Sequence, residues 1–159
     1  MQNLVPGQRP ENDAGYLEMM TAIMFMSGLS RQVVESKWDG FLVAFEGFDV
    51  DKVADFTDVD VERLSNDTRI VRYKAKIRAV VSNAGEMKQL AAENDSFGAW
   101  LRGLLKEKGA ESTSKELGKR FKYMSERSSE RYLWAVGEDI GPVSDEIRKK
   151  YGPPSDEPK

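Results

Sequence analysis

"NDTRIVRYKAKIRAVVSNA", residues 66–84, sets Arg69, Arg72, Lys74, Lys76 and Arg78 within ten residues and carries one acid, Asp67. The whole chain runs the other way: 24 basic against 27 acidic residues give a formal net charge of −3 over 159 residues. At 100° per residue, Ile70, Tyr73, Ile77, Val80, Val81 and Ala84 fall in one sector, so the stretch is expected to be a helix with one face in a core. Arg69, Arg72 and Lys76 line one flank of that sector, and Lys74 and Arg78 the other. Long basic stems covering the edges of a core account for such a pattern. The residues in front allow a second reading. "LSNDTRIVR" joins a short helix to a long one by a very tight connection, which leaves the second helix with free backbone N–H groups and a positive dipole end. The expected pair spans 58–66 and about 71–92.

Outward from this stretch the apolar residues recur at helical spacing almost throughout, with no strand-like alternation and no internal repeat. Asp13 to Met26 reads as one helix, and Ser30 as the N-cap of another carrying Val33, Val34, Trp38, Phe41, Leu42 and Phe45. A turn near Gly47 leads to the brief helix "DVDKVADF". Thr57 with Asp60 three residues on reads as a capping box. Asp95 to Lys106 forms a helix that Gly109 ends, and "ESTSKEL" caps one reaching Phe121 and Met124. Ser128 or Ser129 starts the last, with Tyr132, Leu133 and Val136, ending at Gly137. The expectation is a compact all-α domain of about eight helices over 13–150, behind a flexible segment 1–12 and before a polar, Pro-rich, disordered tail 151–159.

Composition narrows the chemistry. The chain has no Cys and no His. Thiolate nucleophiles, disulfides, Cys-containing zinc sites and the usual near-neutral general base are therefore excluded. No cofactor and no zinc are expected. No apolar run approaches the roughly 18 residues of a membrane helix, and the acidic residues before "MMTAIMFMSGL" do not suit a signal peptide, so a cytoplasmic protein with no membrane partner is expected. A net charge of −3 argues against whole-protein attraction to nucleic acid, but screening confines that argument to about 8–10 Å and leaves a local basic face possible.

"SGLS" followed by "FDVDKVADFTDVDVERLSNDTRIVRYKAKIRAVVSNA" resembles the 3-methyladenine DNA glycosylase I family of helix-hairpin-helix DNA glycosylases. The matches fall on Gly28, Leu29, Ser30, Phe48, Asp49, Val53, Ala54, Asp60, Leu64, Asp67, Ile70, Arg72, Lys76, Ile77, Asn83 and Ala84. "LGKRFKYMSERSSERYLWAVG" adds Phe121, Lys122, Tyr123, Ala135 and Gly137.

The resemblance implies an all-α fold containing a helix-hairpin-helix, and excision of an alkylated adenine flipped out of double-stranded DNA. It assigns the DNA grip to Thr68, Arg69, Ile70 and Arg72, with Lys74 and Lys76 beside them. It also implies a base pocket around Ile23, Ser27, Arg31, Trp38 and Trp134. Against the family pattern, Ile23 stands where a glutamate is usual, Arg31 where an aromatic is usual, Trp134 for a glutamine and Arg69 for the hairpin glycine. The Cys and His of the family's zinc site have no counterpart. Glu18 and Asp13 are the acids nearest the pocket helix. Two other readings compete with a glycosylase: a DNA-binding helix-hairpin-helix module that has lost the chemistry, and a helical domain with a protein partner. An apolar Ile23 predicts weak release of 3-methyladenine at most, with neutral lesions untouched.

Overall fold

The computed structural model describes residues 6–141. Among them lie eight α-helices and no strand: α1 (Asp13–Met26), α2 (Arg31–Ser36), α3 (Trp38–Ala44), α4 (Val50–Ala54), α5 (Asp58–Ser65), α6 (Lys74–Glu93), α7 (Phe97–Arg120) and α8 (Glu126–Ala135). The all-α expectation is met. Residues 1–5 and 142–159, with the expected tail, fall outside the described residues.

The centre of the molecule is α1. Every residue from Tyr16 to Met26 is buried, as expected of a helix apolar all round. Its one hydroxyl in the middle, on Thr21, donates back to Leu17 O at 2.9 Å. Around α1 pack α2, α4, α6, α7 and α8, and α6 in turn contacts α4, α5 and α7. An aromatic run fills one side: Trp38 stacks on Phe41 at 4.8 Å and on Phe48 at 5.6 Å, and Phe45 stacks on Phe48 and Phe56.

Local signals behave largely as expected. Thr57 and Asp60 form the capping box. Ser30 accepts from Val33 N. Gly109 bends α7 with a φ of +84°, and Thr113 Oγ1 donates back to Gly109 O at 2.7 Å.

Other boundaries move. The single helix expected after Ser30 breaks at Lys37, whose φ and ψ of −108° and 6° serve as the C-cap of α2 and the N-cap of α3. The break rotates α3 so that Trp38 and Phe41 are both sealed in the core. Glu46, Gly47 and Phe48 then form a left-handed turn with φ of 51°, 68° and 61°. The last helix is capped by Ser125, not by Ser128 or Ser129: Ser125 accepts from the Ser128 amide, and Met124 precedes it in a loop. Residues 7–9 of the segment expected to be flexible lie against the end of α8 and the residues after it. Gly7 N donates to Ala135 O at 2.8 Å, and Arg9 pairs with Glu138 at 3.5 Å.

Candidate nucleic-acid interface

Between α5 and α6 the chain turns through residues 66–73. Asp67 organises the turn: Oδ1 accepts from Arg69 N at 2.9 Å and Arg69 Nε at 3.0 Å, and Oδ2 accepts from Arg69 Nη2 at 2.7 Å. Arg69 holds the Asp67 carboxyl below its ordinary range, chiefly through the side-chain hydrogen bond. Arg69, at the position of the family's glycine, does not take a positive φ, so this turn needs no glycine there. Ile70 is a buried plug beneath it.

Two further contacts seat the turn on α3. Lys37 Nζ donates to Thr68 O at 3.2 Å. Gly40 lies directly below Arg69, so closely that a Cβ there would stand 2.1 Å from Arg69 O.

The long helix begins at Lys74, later than the expected 71, with Tyr73 as an N-cap that makes no side-chain cap bond. Arg69 and Arg72 therefore belong to the turn rather than to a helix flank. Thr68, Arg69, Arg72, Tyr73 and Lys74 are all exposed. Lys74 pairs with Glu62 of α5 and holds that carboxyl below its ordinary range. Arg69 is engaged by Asp67, whereas Arg72 has no hydrogen bond or ion pair among the described residues. The result is an exposed helix N-terminus with its first amides uncapped and one unpaired guanidinium beside it. Such an arrangement attracts anions.

Lys76 departs from the basic flank. It is 8% exposed, and its Nζ donates to Met24 O at 2.9 Å and to Ser27 O at 2.8 Å. It therefore caps the C-terminus of α1, where carbonyls lack helical partners. Burial pushes its amino group below the ordinary lysine range. The rings of Phe25, Tyr73 and Tyr123 lie 5.7, 5.5 and 5.8 Å from Nζ.

The pocket candidates scatter. Ser27 is at the Lys76 cluster, exposed, and Ile23 lies one turn earlier on the same face of α1, 2% exposed. Arg31 opens α2 and pairs with Glu35 at 2.7 Å. Trp38 is sealed inside the aromatic core and donates from Nε1 to Glu18 Oε2 at 2.7 Å. Trp134 sits half-buried on α8, packed against the core. Of the two acids, Asp13 accepts from Phe97 N at 2.9 Å and Gly98 N at 3.3 Å, which makes it an end-cap for α7. Glu18 is buried, and desolvation raises its carboxyl above the ordinary range against the opposing Trp38 hydrogen bond.

Asn83 is a residue whose role sequence reasoning left unread. Its side chain accepts from Lys122 N at 2.7 Å and donates to Lys122 O at 3.2 Å. This double bond holds the loop before α8, where Tyr123 takes a φ of +61°. Asn83 and Lys122 both lie in the motif stretches, which was the available signal. Among the described residues, no group of three or more His, Cys, Asp and Glu side chains stands where it could hold a metal ion, and no helix is long and apolar enough to cross a membrane.

Comparison with known proteins agrees with this architecture. The chain is 36% identical over 89 residues to DNA-3-methyladenine glycosylase 1 of Escherichia coli, covering 55% of this chain and 48% of that protein. It is 34% identical over 58 residues to the DNA-3-methyladenine glycosylase of Haemophilus influenzae, covering 36% and 31%. These matches span half or less of the curated relatives' length. The fold resembles 3-methyladenine DNA glycosylase I of Staphylococcus aureus with a TM-score of 0.75 at 22% identity, covering 89% of each chain. The methyladenine glycosylase family matches residues 7–135, and the chain belongs to that family.

Proposed function

We propose that this protein is a DNA glycosylase acting on alkylated bases in double-stranded DNA, and that it grips the duplex through a helix-hairpin-helix built from α5, residues 66–73 and α6. The family match over 7–135 carries this reading. The uncapped start of α6 supports the grip, since backbone amides and a positive dipole end hold phosphate without reading sequence. Thr68, Arg69, Ile70, Arg72 and Lys74 form the gripping turn. Lys76 braces α1 beneath it. The −3 charge of the whole chain is no obstacle, because only this face meets phosphate. The protein works in the cytoplasm and needs no cofactor.

The family pattern assigns the base pocket to the C-terminal end of α1 and the start of α2, with Ile23, Ser27 and Arg31 as its candidates and Trp134 of α8 as a fourth. Trp38 belongs to the core instead. Ile23 restricts the chemistry: an apolar side chain accepts no hydrogen bond from a base and offers no charge to a developing oxocarbenium ion. Excision then relies on ring packing and backbone dipoles, which suffices only for a cationic lesion whose glycosidic bond is already weakened. The test is single-turnover release from methylated duplex DNA with enzyme in excess. Slow release of 3-methyladenine with hypoxanthine untouched is expected. Release no faster than in buffer, with duplex binding intact, would replace this reading by a DNA-binding module that has lost the chemistry.

A further inference from the structure

Tyr73 and Tyr123 are among the few large apolar side chains left exposed, at 52% and 45%. They come from different elements, Tyr73 from the start of α6 and Tyr123 from the loop before α8, yet both rings lie within 6 Å of Lys76 Nζ. Tyr123 is held in the left-handed region, which is strained for a non-glycine residue and persists only where the surroundings enforce it. The enforcement is visible in the pair of Asn83 hydrogen bonds to Lys122. The fold thus holds a strained backbone in place, with an aromatic ring at the surface.

The ammonium near both rings is also incompletely used. A lysine has three donors; two go to Met24 O and Ser27 O, and the third has no acceptor among the described residues. Two exposed rings within 6 Å of one fixed donor suit a flat ligand with an acceptor on its edge. The fixed positive charge disfavours a cationic one.

We propose that Tyr73 and Tyr123 form a stacking slot for an undamaged, unpaired nucleobase, with the Lys76 ammonium at its floor as hydrogen-bond donor. This inference rests on the duplex-binding reading above and adds to it a second base site, which adjoins the lesion pocket at Ser27, whose carbonyl Lys76 holds, and differs from it in the charge it accepts. The slot holds a neutral base released from the stack when the duplex opens. Ring stacking supplies most of the affinity and tolerates any base.

The test compares binding of the full-length protein to a duplex with one unpaired guanine and to the fully paired duplex of the same length. The unpaired guanine should tighten binding. Tyr123→Ala should lose at least about fivefold of that preference while paired-duplex affinity holds. Tyr123→Phe should keep it. Tyr123→Gly, which adopts a positive φ without strain, should lose it as Ala does, which excludes misfolding as the cause. Equal affinity of the parent for the two duplexes, or a preference unchanged in Tyr123→Ala, would overturn the slot and leave duplex binding standing. A second arm titrates guanosine and the cationic 7-methylguanosine into protein labelled in its tyrosine rings. Shifts at Tyr73 and Tyr123 with guanosine, several-fold weaker with 7-methylguanosine, are expected. If the protein binds no duplex at all, the duplex reading fails and this titration decides the slot: ring shifts sustain it, and their absence overturns it.

Discussion

Trp38 and Glu18, twenty residues apart, meet in the core, where the indole Nε1 donates to the carboxylate Oε2 at 2.7 Å. The bond ties α3 to the central α1 and gives the indole N–H of the largest side chain in the aromatic stack a buried acceptor. Glu18 is 6% exposed, and burial raises its pKa above the ordinary value while the indole lowers it less.

A raised folded-state pKa sets the sign of a pH effect. Glu18 contributes extra stability below its unfolded pKa, and this is lost as pH rises through the folded value. At neutral pH the charge is therefore a cost. Glu18→Gln, which keeps an acceptor for the indole, should be at least as stable as the parent at pH 7 and lose that falling limb in thermal melts. Glu18→Ala leaves the N–H unpaired and should cost about 1–3 kcal/mol. A Gln variant weaker than the Ala variant would show that the charge itself is required.

Gly40 separates close approach from mere flexibility. Its missing Cβ makes room for Arg69 O, so Gly40→Ala should cost about 1–3 kcal/mol or more in urea unfolding and displace the 66–73 turn. Gly103→Ala, with nothing within 4 Å of the new methyl, should gain roughly 0.5–1 kcal/mol from helix propensity. Equal effects of the two would remove the close-packing argument.

The basic stretch divides into surface and core. Arg72 and Arg78 are exposed, and replacing both with Ala should weaken duplex binding similarly across sequences and lower the salt slope by up to about two. Lys76→Met, by contrast, should act on the fold. It removes the cap on Met24 O and Ser27 O and should cost about 1–3 kcal/mol of stability, with little change in salt slope measured well below its melting temperature. Matching slopes in the parent and the Arg double variant would move the grip elsewhere.

Asn83→Ala deletes both bonds to the Lys122 backbone and should cost about 1–3 kcal/mol. Hydrogen exchange should quicken in residues 121–125 before it does in α6. Uniform protection across that loop in the variant would mean the loop is held by packing alone.

The helical character of the chain was legible from residues 66–84 outward, because helix periodicity, capping and turn chemistry act over three or four residues. The Thr57–Asp60 box, the Ser30 cap and the bend at Gly109 all lie within that range. The family was legible too, from residues kept in order along the chain. What escaped the sequence depends on distant partners. Lys76 sits on the flank of the α6 core face and reads as a solvated charge, yet its acceptors lie 52 and 49 residues away, at the end of α1. Trp38 reads equally well as a base-stacking ring until Glu18, Phe41 and Phe48 close around it. Asp13 looks like an acid near a pocket and is a cap for a helix 84 residues on. A side chain's period along a helix tells which way it leaves the axis, but the element that meets it there is set by how α1, α6 and α7 pack. Only the tertiary structure could therefore decide whether a charge is solvated, capped or sealed.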